Sequence, residues 1–164
     1  MTRCVIAIKK PKGAVYKIYR RNDGSPKDVL SDLKVMWDKN YRPLSDPEYF
    51  LANFIFLAKI SFLKFSMKYR GCLPLKPWLG GYGVCSSECD HGVDYKYTIY
   101  GKRKLYKLET GTLFSEMKTM IKIEEWNDEK GEWVTIYDGT IEGAFEKWKV
   151  SSQGCHLKGI QEYL

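Results

Sequence analysis

SDPEYFLANFIFLAKISFLKF, residues 45–65, carries the strongest structural signal in the chain. Its first four residues form a capping box, with a proline in the first turn of the helix that they start. The residues that follow are apolar on most faces, which predicts one long helix that packs on more than one side. It is expected to include all of residues 49–65 and to end near Arg70 and Gly71. We expect three of its side chains to be buried against a sheet, namely Phe50, Phe54 and Leu57.

Polar residues within this segment argue against a membrane span. Asn53, Lys59 and Lys64 lie near the middle of the apolar stretch from residue 49 to residue 67. A charged side chain at the centre of a bilayer costs about 3 kcal/mol on insertion scales. The segment is therefore predicted to be a core helix, and no membrane is expected among the partners.

Two apolar runs before this helix predict a β-hairpin. Residues 4–8 form the first run, and residues 14–20 resume after a turn that contains Pro11 and Gly13. A helix follows, because Ser25 can cap it, Pro26 suits its first position and Asp28 favours the positive end of its dipole. Its apolar residues recur at helical spacing, at Val29, Leu30, Leu33, Met36 and Trp37.

Downstream of the long helix the pattern changes to alternation, which predicts strands. A loop with two prolines and three glycines spans residues 73–83. We expect strands over residues 95–100, 103–109, 119–126 and 132–139, with a tight turn at Gly101 and a hairpin turn over residues 127–131. Thr140 is expected to cap a last helix, whose apolar stripe contains Ile141, Ala144, Phe145 and Trp148.

The predicted order is β-β-α-α-β-β-β-β-α. Runs of strands and runs of helices, without βαβ alternation, indicate the α+β class. We expect a mainly antiparallel sheet of about six strands, with two or three helices packed on one face. Residues 1–164 are predicted to form a single domain with a loosely packed tail from about residue 151.

The composition favours a basic protein of the cytoplasm. The chain has 27 lysines and arginines against 20 acidic residues, a formal charge of +7 and five cysteines. Such an excess favours anionic partners, although the mixed charges also fit a lysine-rich solvated surface. No secretory signal is visible before Lys9, and the odd number of cysteines favours free thiols in a reducing cytoplasm.

The segments TRCVIAIKK, VYKIYR and RNDGSP together resemble a family of small proteins from phages, prophages and other mobile elements. Those proteins pass from two paired strands through a His-Trp-Asp-Gly-Tyr-Pro turn into a helix; here Asp23, Gly24 and Pro26 match, and the His and aromatic positions do not. DPEYFLANFIFLAK is similar to that family's helix start, and GYGVC with HGVDYKYTIY to its later strand entry. The resemblance covers about residues 3–138. It implies a viral or mobile-element origin and a fold, with the host cytoplasm as location, and no reaction.

A short stretch around residue 90 is a candidate metal site. Cys85, Cys89 and His91 supply two thiolates and an imidazole, and structural zinc takes four such ligands. The fourth ligand would come from Cys72, Asp90, Asp94 or the Cys155–His156 pair, and a histidine so close to Cys89 is awkward for chelation. A Cys85–Cys89 disulfide and a metal-free polar turn remain the alternatives, so we expect no cofactor, with structural zinc as the exception.

Basic and aromatic residues interleave on two predicted hairpins. The basic candidates are Lys9, Lys10, Lys12, Lys17, Arg20 and Arg21 on the first hairpin, and Lys102, Arg103, Lys104 and Lys107 on the later one. The interleaved aromatic residues are Tyr16, Tyr19, Tyr95, Tyr97, Tyr100 and Tyr106. An exposed sheet of this kind can track phosphates and stack bases, whereas strand tyrosines also commonly pack beneath helices.

These patterns favour a non-catalytic binding protein. The leading expectation is protein binding, including self-association, because the aromatic content suits interfaces. The alternative is an accessory nucleic-acid-binding protein that uses the basic and aromatic hairpins. A third hypothesis is a hydrolase with Thr2 as an N-terminal nucleophile, exposed by removal of Met1.

Overall fold

The computed structural model describes residues 2–11, 13–70, 81–85 and 92–151 of the chain. Its elements are β1 (Cys4–Lys9), β2 (Val15–Arg20), α1 (Pro26–Asp38), α2 (Pro47–Arg70), β3 (Tyr82–Val84), β4 (Tyr95–Lys107), β5 (Leu113–Asn127), β6 (Glu132–Thr140) and α3 (Ile141–Lys147). This is the predicted order, and the α+β class is confirmed. The predicted loose tail lies, from residue 152 onward, outside the described residues.

The six described strands form one sheet in the order β3-β2-β1-β4-β5-β6. Its neighbouring pairs are antiparallel except for β1 and β4, so the sheet is mainly antiparallel, as predicted. A parallel pair needs a long crossover connection. The chain between β1 and β4 supplies it, because this stretch contains α1 and α2.

All three described helices pack on one face of the sheet. Successive side chains of a strand point to opposite faces, and every second residue of the central strands points towards the helices. These residues join the buried residues of the helices in one apolar cluster, which includes Ile6, Ile18, Tyr97, Ile99, Ile121, Ile123, Leu30, Leu33, Phe54 and Ala144. The space between the helices and the sheet is therefore the core.

The long helix α2 forms as the sequence predicts. It covers all of residues 49–65, and Phe50, Phe54 and Leu57 are 3%, 0% and 3% exposed. Phe54 reaches the short strand β3, since its ring centroid lies 4.6 Å from that of Tyr82. None of the described helices combines the length and the apolar character that crossing a membrane requires.

The starts of α3 and α1 differ in how they are capped. Thr140 caps α3 as predicted, because its Oγ1 accepts a hydrogen bond from the Gly143 N–H at 3.2 Å. At α1, Ser25 occupies the N-cap position and Pro26 follows in the first turn, as predicted, but the Ser25 hydroxyl donates to the Asp28 carboxylate and caps no backbone group. A carboxylate is a stronger acceptor than a neutral group, so it orients the hydroxyl as a donor.

The predicted capping box at the start of α2 also needs correction. Asp46 Oδ1, and not the Ser45 hydroxyl, accepts the hydrogen bond from the Tyr49 N–H, at 2.9 Å. Glu48, the last residue of the predicted box, instead forms an ion pair with Lys10, whose Nζ lies 3.2 Å from its carboxylate. The cap is therefore a single aspartate at the residue before Pro47.

The predicted turn at Gly101 is wrong. β4 continues through Gly101, which pairs with Thr119 of β5. A Cβ atom at position 101 would lie 2.7 Å from Met117 Sδ and 3.4 Å from Leu44 Cδ1. The glycine therefore makes room for neighbouring side chains inside a strand, and does not turn the chain.

Beyond Tyr100, β4 and β5 extend past the other strands. β1 pairs with β4 only as far as Tyr100, and β6 pairs with β5 only from Met120 onward. Residues 101–107 and 113–119 pair with each other alone among the described strands, and we call residues 101–119 the arm. At about 3.3 Å per residue, seven residues give the arm a length of roughly 23 Å.

The turn that carries the mobile-element resemblance packs against the start of β1. The Gly24 N–H donates to the Thr2 carbonyl at 3.0 Å, and a Cβ atom on Gly24 would lie 2.8 Å from the Arg3 carbonyl carbon. Asp23 before it has a φ of 55°, a value that aspartate tolerates better than most residues. The Asp-Gly pair thus lets this turn approach the β1 backbone closely.

Candidate nucleic-acid interface

The sheet has a second face on which no described helix packs, and we call it the open face. Strand alternation and the cross-strand register assign to it the odd-numbered residues of β1 and β2 and the even-numbered residues of β4 and β5. Because the arm continues β4 and β5, it extends this face beyond the body of the sheet. In β6 a register shift opposite Ile123 and Glu124 changes the parity, so Asp138, opposite Lys122, and Trp133, opposite Trp126, both lie on this face.

The open face is rich in lysine and aromatic residues. Its lysines are Lys9, Lys17, Lys96, Lys102, Lys104, Lys118 and Lys122. Its aromatic residues are Tyr19, Tyr100, Tyr106, Phe114, Trp126 and Trp133, and its acidic residues are Glu116, Glu124 and Asp138. None of these lysines and aromatic residues is buried. The face therefore combines an excess of positive charge with accessible rings.

Cations and rings contact one another along this face. Lys96 Nζ lies 4.1 Å from the ring centroid of Trp133, and Trp126 packs edge-on against Trp133 with 5.3 Å between centroids. In the arm, Lys104 Nζ lies 4.9 Å from the ring centroid of Tyr106. A charge beside a flat ring can bind a phosphate while the ring stacks on a base.

The acidic residues of the face are engaged by neighbouring donors. Tyr106 donates to Glu116 at 3.1 Å, Lys122 to Glu124 at 2.5 Å, and Tyr100 to Asp138 at 2.6 Å. The hydrogen bond to Asp138, with partial burial, raises the pKa of Tyr100 to about 12. The Tyr100 hydroxyl thus keeps this carboxylate occupied as a hydrogen-bond acceptor.

The reverse side of the arm has a different character. Leu105, Leu113 and Met117 lie there with 66%, 70% and 46% of their surface exposed. Arg103 and Lys107 occupy the same side, so the arm carries cations on both sides. Four of the predicted basic residues thus belong to the arm, with Lys102 and Lys104 on the open face and Arg103 and Lys107 on the reverse side.

The remaining basic candidates are dispersed. Lys10, which directly follows β1, forms the ion pair with Glu48. Arg21 is exposed in the turn after β2, and Lys12 lies outside the described residues. The first hairpin therefore contributes Lys9 and Lys17 to the open face, and not a continuous basic surface.

Arg20 is a core residue and does not belong to a phosphate-binding surface. Its Nη1 lies 2.8 Å from Asp32 Oδ2 and donates to the Tyr82 hydroxyl at 2.7 Å, and that hydroxyl donates to Asp32 at 3.0 Å. Burial alone lowers the pKa of Arg20, but Tyr82 and Asp32 together raise it above the usual value. Arg20 lies here because its parity in β2 points it towards the helices.

The predicted tyrosines divide between the two faces. Tyr19, Tyr100 and Tyr106 lie on the open face, whereas Tyr97 is buried and donates to the Gly24 carbonyl at 2.7 Å. Tyr95 donates to Glu125 at 2.6 Å on the helix side, and burial together with this bond raises the pKa of Tyr95 to about 12. Tyr16 also has helix-side parity, against the core.

Sequence reasoning missed six residues of the open face, namely Lys96, Phe114, Lys118, Lys122, Trp126 and Trp133. The signal was present in β5, where lysines and Trp126 share even positions with Phe114. The turn predicted at Gly101 hid this pattern. With a turn there, Lys96 and Lys102 would belong to different strands, and their even positions would not place them on one face.

The candidate zinc site at Cys85, Cys89 and His91 depends on whether Cys85 is a free thiol. Cys85 is disulfide-bonded, whereas Cys4 is a free buried cysteine. The expectation of free thiols is therefore confirmed for Cys4 and wrong for Cys85, and a disulfide sulfur offers no thiolate to zinc. Cys89 and His91 lie outside the described residues, so zinc binding stays a prediction. Burial raises the pKa of Cys4 to about 12.

The Thr2 hypothesis stays a prediction as well. Thr2 is half-buried beside the Gly24 turn. A nucleophile of this type needs a free amine, which only removal of Met1 provides, and Met1 lies outside the described residues.

Compared with protein-family models, with curated proteins and with solved structures, the chain shows no significant match. The resemblance to mobile-element proteins thus stays a prediction. The function has to be argued from the surface itself.

Proposed function

We propose that this chain binds single-stranded nucleic acid on the open face of its sheet, with little dependence on sequence. The observation that carries the proposal is the composition of that face, which holds seven lysines and six aromatic residues against three acidic ones. Both rings and lysines occur along β4, β5 and the arm. This is the combination that proteins use to track a phosphate backbone and stack bases.

Accessible rings favour single strands over duplexes as the ligand. Stacking on a protein ring requires an unstacked base, which a single strand supplies at low cost. Phe114 is 54% exposed and Trp126 is 38% exposed. Lys104 lies two residues from Tyr106, the cross-strand partner of Phe114. Lys96 lies over the ring of Trp133, the cross-strand partner of Trp126. The lysines supply the sequence-independent attraction, which depends on salt.

The test is fluorescence anisotropy with a labelled single-stranded oligonucleotide and with its duplex. The surface variant changes Lys102, Lys104 and Lys118 to glutamine. The matched control changes Lys27, Lys39 and Lys68 to glutamine, three exposed lysines of the helix layer, and alters net charge by the same amount.

We expect the single strand to bind more tightly than the duplex, and the surface variant to lose most of this binding while the control keeps it. Binding that responds equally to both variants would mean attraction to net charge alone, and would overturn the assignment to the open face. Absence of binding at low salt would overturn the function itself.

A further inference from the structure

α2 carries a second surface, away from the open face, that bears on the expectation of self-association. A stripe of side chains runs along the helix beside the side that is buried in the core, and one of its members, Ile60, packs partly against that core. Its members are Tyr49, Asn53, Phe56, Ile60, Leu63 and Met67. They follow one another at alternating intervals of four and three residues, so that positions 49, 56 and 63 and positions 53, 60 and 67 each recur every seven residues, which is the heptad spacing of helices that pack side by side.

The stripe is accessible. Tyr49, Phe56 and Met67 are 58%, 60% and 49% exposed, and the other three members are half-buried. The adjacent side of the same helix, with Phe54 and Leu57, is buried in the core. α2 is therefore apolar on two sides, and the described part of the chain covers one of them.

We propose that the stripe binds the same stripe of a second copy, which gives a two-fold dimer. Heptad spacing suits a helical partner with the same period, because the side chains of one helix insert between those of the other. In a two-fold contact the same patch faces itself, and a regular stripe meets this requirement without a second surface. The partner that the residues specify is thus another α2.

The size of the stripe is adequate for such a contact. From Tyr49 to Met67 it extends about 27 Å at 1.5 Å per residue. Aromatic side chains bury about 150–250 Å² each, so the exposed parts of the four aromatic residues of two copies supply roughly half of the ~1,000 Å² that a specific interface needs. Ile60, Leu63 and Met67 add to this area.

Asn53 is the polar member of the stripe. Its amide donates to the Tyr49 carbonyl at 2.8 Å within the same helix, so the side chain is held along the stripe. A single asparagine at such a position fixes register at a cost in stability. Its replacement by leucine is therefore expected to tighten the dimer.

The test is sedimentation equilibrium of the full chain between about 1 and 200 µM, the range over which a moderate interface dissociates. We expect a monomer–dimer equilibrium that Phe56→Glu weakens at least about tenfold, as for a central aromatic anchor. Phe114→Glu is the matched control, because it makes the same change at an exposed phenylalanine of the arm. It should leave the equilibrium unchanged.

Asn53→Leu keeps the test decisive if Phe56→Glu disturbs the helix, because its expected effect has the opposite sign. Tighter association of Asn53→Leu supports the proposal. A monomeric wild-type chain over the whole concentration range, or a dimer that Phe56→Glu leaves intact in a folded protein, overturns it. Nucleic-acid binding that persists in the Phe56→Glu monomer would show that the two surfaces are independent.

Discussion

Arg20 and Asp32 form a buried ion pair between the second strand and the first helix, with 2.8 Å between Nη1 and Oδ2. Their side chains are 5% and 1% exposed, and the Tyr82 hydroxyl on β3 forms a hydrogen bond with each member of the pair. The pair therefore ties together three elements that are distant in sequence. It explains why a basic residue of the first hairpin is absent from the surface.

Asp32→Ala is expected to lower the free energy of unfolding by about 3–5 kcal/mol, because it leaves the Arg20 charge buried without its partner. Urea denaturation measures the change. Asp38→Ala is the control on the same helix, because Asp38 pairs with Lys34 at 2.9 Å in a largely exposed position and such pairs contribute less than about 1 kcal/mol. Equal effects of the two changes would contradict a special role for the buried pair.

Leu57→Ala is expected to cost about 2–5 kcal/mol, because it opens a cavity between α2 and the core. Leu57 is 3% exposed. Leu105→Ala makes the same change at a residue of the arm that is 66% exposed, and its effect should stay within about 0.5 kcal/mol. Thermal or urea unfolding of both variants compares them directly, and a small effect at Leu57 would show that α2 packs loosely.

The sequence predicts elements with strong local signals and fails where distant residues decide the outcome. The apolar helix over residues 49–65 and the threonine cap of α3 are confirmed because each depends on a few adjacent residues. The turn predicted at Gly101 is wrong because it depends only on the general use of glycine in turns. Its actual role is set by Met117 and Leu44, which occupy the space of a Cβ atom.

The candidate site shows the same division. Lys102 and Lys104 were predicted as a basic cluster from adjacent residues, and both lie on the open face. The burial of Arg20 depends on Asp32 and on Tyr82, which is 62 positions away, and no local pattern contains that information. Lys96 and Lys122 can be assigned to the same face as Lys102 only when β4 and β5 are known to be continuous strands.

Tyr100 is expected to ionise near pH 12, well above the ordinary value of 10.0, because Asp138 accepts its hydrogen bond. Since the folded pKa is raised, the bond stabilises the fold fully below the unfolded pKa, and this contribution is lost as the pH rises from 10.0 to about 12. Difference absorbance titration of the wild type and of Tyr100→Phe isolates this tyrosine. Asp138→Asn should move its pKa back towards the ordinary value. An ordinary pKa in the wild type would argue against the bond.

The salt dependence of nucleic-acid binding should report the lysines of the open face. For single strands, the slope of log K against log salt changes by about 0.7 per phosphate contact. Loss of Lys102, Lys104 and Lys118 is therefore expected to make the slope shallower by about 2. The helix-layer variant of Lys27, Lys39 and Lys68 should keep the wild-type slope. An equally shallow slope in that variant would mean that the phosphates do not bind specifically on the open face.

Phe114 should contribute through stacking and not through charge. It lies on the open face of the arm, opposite Tyr106, and is 54% exposed. Stacking of one base on an aromatic side chain contributes about 1–3 kcal/mol, so Phe114→Ala is expected to weaken binding of a single strand by that amount without changing the salt slope. Leu113→Ala, on the reverse side of the arm, is the neighbouring control. If Leu113→Ala weakens binding and Phe114→Ala does not, the nucleic acid lies on the apolar side of the arm, because only one of these two adjacent side chains can face the ligand.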